Sequence, residues 1–504
     1  MKNDVLKNIV FSIIQQIINI ICGFIVPRLI LNTYGSNING MITSITQFLG
    51  YITLLEAGIA PVVKASLYKP IVKSDNETIA KILRASEKFF RTIAIVFIFY
   101  IIVLCIVFPN MYSPQYDYLF TLSLILIIAI STFFEYFFGM TYNIYLQAIQ
   151  KNYVVSILKT ILKVLNTIIV VVLVLNNCSI QLVKLMSSLI FLLSPIFLSL
   201  YVKNKYHISL KNVDSKNVLK NKWAGFSQHI AAILFNSVDV CVLTFATNSL
   251  EVSVYAVHML VINSIKEVCV SLSSGIDAWF GSSIASDNIK KLNDNLSLYE
   301  FFFFSIVSFL FAATFSLQIP FIKVYTKGIE DVNYIRPLFA YIMIFAQFFA
   351  AIRIPYTDIV LAAGHFKETQ KYAWMEVVVN LVLSIILAIK YGIVGVAIGT
   401  LVATFIRTWQ MMCYSSKKII KRPCLIAFKK TIIAILEIIL IFLINKVLNL
   451  NFANTYLGFI LRGIITSFIA IVVICLVDVI FYRDNFKKLI NKLKQKFRRG
   501  QNEQ

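Results

Sequence analysis

Long apolar segments separated by short polar breaks recur along the entire chain and limit what it can fold into. Each is close to the roughly 20 residues that an α-helix needs to cross the hydrocarbon core of a bilayer. Hydrophobic residues make up 59% of the sequence and charged residues only 14%, which leaves little of the chain for a soluble domain. The pattern predicts an all-α polytopic membrane protein.

The polar breaks allow the spans to be counted. About fourteen transmembrane helices are predicted, at 9–31, 39–63, 89–108, 118–145, 153–175, 180–202, 223–247, 252–281, 298–320, 335–361, 371–389, 392–413, 426–446 and 456–482. Lys and Arg concentrate in every second break, and the other breaks hold few: Lys323, Lys327, Lys390 and Lys446. Because basic loops stay in the cytoplasm, both termini are predicted to be cytoplasmic.

The net charge of +23 lies mainly in these basic breaks and in the C-terminal tail. There it sets the orientation of the spans, so we expect no nucleic-acid partner. In the tail, apolar residues recur at helical spacing between basic ones: Phe486, Leu489, Ile490, Leu493 and Phe497. Such a segment is expected to lie on the anionic lipids of the inner leaflet.

Short matches recur between the two halves of the chain. Ser-Asp-Asn at 74–76 precedes Phe-Phe at 89–90, and the same pair recurs at 286–288 and 301–302. A Tyr and an Ala recur at an offset of 214 residues: Tyr142, Ala148, Tyr356 and Ala362. Since the offset corresponds to six spans, an even number, the two halves share one orientation.

This parallel pseudo-repeat predicts two six-helix lobes plus two C-terminal helices. The predicted divisions are an N-terminal lobe at 1–205, a cytoplasmic linker at 206–222, a C-terminal lobe at 223–415, the last two spans at 425–482 and a basic cytoplasmic tail at 483–504. Two lobes of this kind can move against each other around a central site.

Several charged side chains fall inside the predicted spans, where each is costly unless it faces the bundle interior, finds a partner or serves a function. The candidate cations of a substrate cavity are Arg28, Lys159, Lys163, Lys266 and Arg353. The candidate acids for ion coupling are Glu56, Asp239 and Glu267. No cofactor and no metal site is predicted, and Na⁺ or H⁺ is the expected coupling ion.

Two interpretations stay open for several of the cations. Lys266 either forms a structural ion pair with an acid such as Asp239 or receives an anionic substrate in a cavity. Arg28 lies about one turn from the predicted end of its span and either reaches the outer headgroups or lines the cavity. Lys159 and Lys163 lie four residues apart on one face and repel each other unless an anion lies opposite, which is as consistent with an anion-binding cavity as with a structural role.

Glu56 lies in a span that also contains Gly58 and Pro61, two residue types that interrupt helical hydrogen bonding. Backbone carbonyls freed beside a carboxylate would suit Na⁺ or a proton. A structural pair is the alternative interpretation for this acid.

The first 90 residues carry a resemblance to a known family. Pro27-Arg28 is followed by Gly35 and Gly40, and Leu-Leu-Glu-Ala-Gly at 54–58 leads into Ser-Leu-Tyr-Lys-Pro at 66–70. These residues resemble the start of bacterial polysaccharide repeat-unit flippases of the Wzx type. The arrangement of six, six and two spans resembles the wider multidrug/oligosaccharidyl-lipid/polysaccharide exporter (MOP) superfamily, which also contains MATE transporters.

The resemblance implies a flippase, not an enzyme, in the bacterial cytoplasmic membrane. Its implied substrate is an undecaprenyl-pyrophosphate-linked oligosaccharide, moved from the inner to the outer leaflet by alternating access for capsule, O-antigen or other surface polysaccharide. Arg28 and Lys266 would then hold the pyrophosphate, and the last two helices would form a groove for the lipid tail. Gln15, Gln16 and Asn19 are candidates to face the sugar. A polysaccharide polymerase and glycosyltransferases are further implied partners.

Two other functions were weighed against this one. A MATE-type cation-coupled drug or metabolite antiporter would favour acids over bases in its cavity, whereas the intramembrane cations here rival the acids in number. A membrane-embedded glycosyltransferase or polymerase would need a sizeable outer loop or a cluster of acids at the membrane surface. The longest predicted outer loop, 321–334, is short.

Overall fold

The computed structural model describes residues 2–56, 58–112, 116–206, 226–273, 289–449 and 454–483. Within these ranges the chain is helical and contains no β-strand, which confirms the predicted all-α class. In the described part of the chain, eleven helices are long and apolar enough to cross a membrane.

The eleven helices and the fourteen predicted spans agree once three regions are considered. The first candidate, Lys7–Glu56, contains two predicted spans, and Ile230–Ala246 is a shorter apolar helix. Leu425–Val447 has membrane length but contains several charged residues: Lys429, Lys430, Glu437 and Lys446. One merged helix, one short helix and one charged helix therefore account for the three missing spans.

The chain forms two compact units, Met1–Ser253 and Val254–Gln504. The division predicted from the sequence falls at the linker 206–222, and residues 207–225 lie outside the described part of the chain. The predicted lobe boundaries therefore stay a prediction. Nearly all of the basic tail, from residue 484 onward, is also outside the described residues.

The first unit is built from helices α1 to α9, with a π-helix at Glu135–Gly139 joining α5 and α6. Their bounds are α1 Lys2–Gly50, α2 Thr53–Glu56, α3 Ile59–Val72, α4 Asn76–Tyr112, α5 Tyr118–Phe134, α6 Met140–Ala148, α7 Asn152–Leu175, α8 Ile180–Tyr206 and α9 Phe226–Ala246. Helix α10, Ser249–Ser273, begins at the end of this unit.

Helix α1 corrects the predicted bounds of the first two spans. The sequence predicts one helix ending at 31 and another beginning at 39, but α1 continues through this region to Gly50 with a single kink at Gly35. Gly35 has φ 83° and ψ 171°, a backbone conformation that glycine adopts without steric cost. Two helices therefore meet at Gly35 without a loop between them, where the sequence predicts a break from 31 to 39.

Helix α4 begins earlier than predicted. The sequence predicts a span from residue 89, whereas α4 starts at Asn76. Asp75 accepts a hydrogen bond from the backbone N–H of Thr78 at 2.9 Å, which is the usual stabilisation of a helix start. Glu87 then pairs with Arg84 at 2.5 Å and with Arg91 at 2.7 Å. These local pairs stabilise a helical extension of the membrane span.

The second unit contains most of α10 and seven further helices. Their bounds are α11 Ile289–Tyr325, α12 Pro337–Ile352, α13 Ile354–Ala362, α14 Phe366–Tyr391, α15 Ile393–Tyr414, α16 Leu425–Val447 and α17 Tyr456–Phe481. A π-helix at Ser415–Ile420 extends α15. The predicted span 252–281 corresponds to α10, which ends at Ser273, and residues 274–288 lie outside the described residues.

The helix bounds confirm the predicted repeat. Helix α6, Met140–Ala148, and helix α13, Ile354–Ala362, each have nine residues and differ by 214 positions at both ends. The starts of α4, α7 and α8 recur in α11, α14 and α15 at offsets of 213 or 214 residues. Tyr142 and Tyr356, the tyrosines that revealed the repeat, are both buried.

A buried ion cluster in the second unit joins α11, α16 and the segment that precedes α16. Glu300 of α11 is 0% exposed and accepts hydrogen bonds from Arg422 and, at 2.6 Å, from Lys430 Nζ of α16. One carboxylate therefore pairs with two cations away from water, an arrangement that becomes unfavourable when the carboxylate is removed.

Candidate functional site

A polar cavity of about 410 Å³ lies within the first unit. It is lined by Gln15, Asn19, Ser131, Thr132, Glu135, Lys159, Leu162, Lys163, Phe191, Ser194 and Pro195. Helix α7 supplies both lysines because residues four apart lie on the same helical face. The structure thus brings the predicted cations Lys159 and Lys163 together with Gln15 and Asn19, two of the three residues considered for sugar contact.

Positive charges outnumber negative ones in this cavity, which we call the α7 cavity. Lys159 Nζ lies 3.9 Å from Glu135 Oε1, and both side chains are partly exposed. Lys163 has no ion-pair partner among the described residues. The cavity therefore holds two cations against one acid, and Lys163 is available to an anion.

The π-helix Glu135–Gly139 positions the acid of the cavity. Single π-helical turns inside α-helices widen the backbone and are frequent at functional sites. Gly139 allows this segment to approach α8, because a Cβ at this position would lie 2.7 Å from Pro195 Cβ. Pro195 also lines the α7 cavity, so this contact fixes one of its walls.

We expect Gly139→Ala to destabilise the protein by about 1–3 kcal/mol, since the added methyl group has no room beside Pro195. The matched control is Gly23→Ala in α1, where a Cβ meets nothing within 4 Å and alanine favours the helix. Thermal unfolding of the purified variants in detergent measures the difference. Equal unfolding temperatures for the two variants would contradict the proposed close contact.

Glu56 is connected to the same wall through the π-helix. Tyr136 donates a hydrogen bond from its hydroxyl to Glu56 Oε2 at 2.6 Å, and the charges of Glu135 and Lys159 act on the Glu56 carboxyl. The helical structure is interrupted between Gly50 and Thr53 and again before Ile59. The predicted combination of a carboxylate and irregular backbone is present, while its role in ion coupling stays a prediction.

A second cavity of about 500 Å³ in the first unit contains a cation that the sequence analysis missed. This α8 cavity is lined by Val26, Pro27, Ile30, Asn39, Ile42, Thr43, Thr46, Gln47, Gly50, Thr53, Lys184, Ile233 and Ser237. Lys184 has no carboxylate partner within the described part of the chain. It lies near the start of its predicted span, where a lysine normally reaches the headgroups. Its position in the sequence therefore did not indicate a cavity cation.

The three lysines lie at successive depths along two packed helices. At 1.5 Å per residue, Lys159 and Lys163 are about 10 and 16 Å from the start of α7. Lys184 is about 6 Å from the start of α8, which follows the far end of α7. Helices α7 and α8 pack against each other, and the charges of Lys163 and Lys184 act on each other. Together they form a series of cations across the unit, which we call the lysine series.

The remaining predicted residues, apart from Glu56 and Arg353, are not among the lining residues of the α7 or α8 cavity. Arg28 is half-buried and follows Pro27, which lines the α8 cavity. Asp239 is buried in α9. Lys266 is half-buried and Glu267 is exposed on α10. Their predicted roles, including a pair between Lys266 and Asp239, stay predictions.

Arg353 forms an ion pair with an acid. Its Nη1 lies 2.6 Å from Glu376 Oε1, and Arg407 Nε lies 3.7 Å from the other oxygen of the same carboxylate. This pair could not be assigned from spacing alone, because Glu376 lies on α14. The predicted role of Arg353 as a cavity cation stays a prediction.

Several solved structures have a fold similar to that of this chain. The lipid II flippase MurJ in an inward closed conformation is 17% identical, with a TM-score of 0.70 over 94% of this chain and 99% of that chain. An inward-facing multidrug resistance MATE family transporter of the MOP superfamily is 15% identical, with a TM-score of 0.55 over 80% and 94%. A eukaryotic MATE transporter, AtDTX14, is 14% identical, with a TM-score of 0.55 over 85% and 96%.

No family model and no curated protein sequence matches this chain. The likeness to the solved structures is one of fold, and it confirms the predicted all-α polytopic architecture. The chain is a multi-pass membrane protein with this architecture.

Proposed function

We propose that this chain is a flippase that moves an undecaprenyl-pyrophosphate-linked oligosaccharide repeat unit from the inner to the outer leaflet of the bacterial cytoplasmic membrane. The observation that carries the proposal is the lysine series. A pyrophosphate needs concentrated positive charge in a cavity of low dielectric constant. Lys163 and Lys184 supply such charge without a carboxylate partner among the described residues.

The polar lining of the two cavities supports a glycan as the second part of the substrate. Amide and hydroxyl groups both donate and accept hydrogen bonds, as sugar hydroxyls do. Gln15 and Asn19 line the α7 cavity, and Asn39 and Gln47 line the α8 cavity. The fold similarity to a structure described as a lipid II flippase agrees with a lipid-linked substrate.

The depths of the lysines suggest an order of contacts. The pyrophosphate first meets Lys159, whose charge is partly balanced by Glu135, and then Lys163 and Lys184. At each step the pyrophosphate passes from one lysine to the next. Its negative charge therefore always has a cation nearby within the membrane. Alternating access of the two lobes would release the substrate outward, with Na⁺ or H⁺ at Glu56 resetting the protein.

A MATE-type antiporter for cationic compounds is the second candidate, because the fold is shared with MATE transporters. The charges of the cavities favour the flippase. Among the residues that line them, Glu135 is the one acid, against three lysines. A cationic drug would be repelled by this balance.

Deletion of the gene in its host tests the proposal. We expect the lipid-linked oligosaccharide to accumulate on the inner leaflet and the wild-type gene to restore export. Complementation with Arg28→Ala and Lys266→Ala then shows whether these two residues take part in transport. Absence of accumulation, with a changed sensitivity to cationic drugs, would reject the flippase in favour of the antiporter.

A further inference from the structure

A third cavity, of about 690 Å³, lies entirely within the second unit and shares no lining residue with the α7 and α8 cavities. Helices α11, α12, α16 and α17 and residue Asn454, which precedes α17, contribute its walls. Its lining consists of Ser316, Ile319, Pro320, Lys323, Tyr341, Phe442, Asn445, Lys446, Asn454 and Arg462. Three of these ten residues are basic and none is acidic.

The three basic residues lie near helix ends on one side of the unit. Lys323 is two residues from the end of α11, Lys446 is one residue from the end of α16, and Arg462 is in the second turn of α17. None of the three has an ion-pair partner in the described ranges. The sequence predicts this side to face outward, since Lys323 and Lys446 fall in the sparsely basic breaks.

Helix dipoles explain only part of this arrangement. A cation in the last turn of a helix is stabilised by the negative end of the dipole, and this applies to Lys323 and Lys446. Arg462 lies close to the positive end of α17 and gains nothing from that dipole. Three like charges around one cavity repel each other, so a bound anion would stabilise all three.

Beneath the basic rim lies an aromatic cluster. The ring centroids of Phe315 and Tyr341 are 4.4 Å apart, and those of Phe315 and Phe442 are 4.9 Å apart. The buried Asn445 is held in place by a hydrogen bond from Thr466 to its Oδ1 at 3.0 Å. The walls are therefore fixed by packing and hydrogen bonding rather than by a ligand.

We propose that this cavity binds the phosphate-bearing headgroup of an anionic membrane lipid from the leaflet at this side. The lysines and Arg462 would hold the phosphate, and the aromatic cluster would contact the first carbons of the chains. Two apolar residues close in sequence to lining residues are strongly exposed: Val447, next to Lys446, at 83%, and Leu457, three residues after Asn454, at 69%. Free phosphate would use only the rim, so a lipid fits the whole cavity better.

The test uses the purified full-length protein in neutral detergent and native mass spectrometry. Dioctanoyl phosphatidylglycerol is titrated against wild type and Lys323→Gln/Lys446→Gln. The matched control is Lys327→Gln/Lys390→Gln, which removes two cations from the predicted outer breaks but none from the cavity. We expect the cavity variant to bind roughly 30-fold more weakly, about fivefold for each lysine, and the control to bind as wild type does.

Two competing titrations identify the ligand. Dioctanoyl phosphatidylcholine, whose phosphate is balanced by its own cation, should bind far more weakly, and inorganic phosphate at millimolar concentration should not displace the lipid. Equal binding of both lipids, or equal binding by the two double variants, would overturn the site. Displacement by inorganic phosphate would reject the lipid as its ligand. Arg462→Gln provides a second variant if the double variant unfolds. Because the readout is binding, its failure leaves the flippase proposal unaffected.

Discussion

The double charge reversal Lys163→Glu/Lys184→Glu is expected to reduce export of the lipid-linked oligosaccharide at least about 100-fold. Two opposite charges 4 Å apart interact by about 4 kcal/mol near a protein surface, and reversal turns each attraction into a repulsion. An anionic headgroup would then meet two carboxylates at successive depths. Accumulation of the substrate on the inner leaflet of the complemented deletion strain measures the loss.

The control for this experiment reverses two exposed lysines of the same unit, Lys73→Glu/Lys88→Glu. Both double variants change the net charge by the same amount, and equal abundance in the membrane must be shown for both. The conservative variant Lys163→Arg/Lys184→Arg should retain most export, because a guanidinium also binds pyrophosphate. Normal export by the double Glu variant would show that the lysine series does not contact the substrate.

The sequence predicted the fold well because one physical requirement determines it. Every span must be apolar over membrane length, and this signal depends on composition rather than on tertiary contacts. The repeat was equally readable, since α6 and α13 preserve their length and a buried tyrosine at the same position. The bounds differ where a helix extends into a polar segment, as at Asn76, and where two helices meet without a loop, as at Gly35.

The candidate site was predictable only where it depends on helical periodicity. Lys159 and Lys163 were recognised together because a spacing of four places them on one face. Lys184 was missed because its helix packs against α7 only in the folded unit. The ion pair of Arg353 was missed for the same reason, since its partner Glu376 lies 23 residues away on α14. Such pairings depend on packing, which spacing along the sequence does not encode.

Removal of the Glu300 carboxylate is expected to cause the largest loss of stability in the second unit. Glu300→Ala leaves Arg422 and Lys430 buried without their shared acid, and breaking a buried ion pair in this way costs about 3–5 kcal/mol. The control Glu77→Ala removes an acid that is paired with Lys81 but largely exposed, and a loss of less than about 1 kcal/mol is expected there. Unfolding in detergent, monitored by circular dichroism, measures both.

A double variant separates the ion cluster from simple packing. In Glu300→Leu/Lys430→Met the acid and one cation are replaced by apolar side chains of similar size, so Arg422 is the one cation of the cluster that loses its acid and Tyr356 loses the same hydrogen-bond partner. Because the main penalty comes from uncompensated buried charge, this variant should be more stable than Glu300→Leu alone, although it departs from the wild type at two positions. Equal unfolding temperatures for the two variants would show that the loss of stability comes from lost side-chain contacts. Glu300 would then be a packing residue rather than the counter-ion that joins α11 to α16.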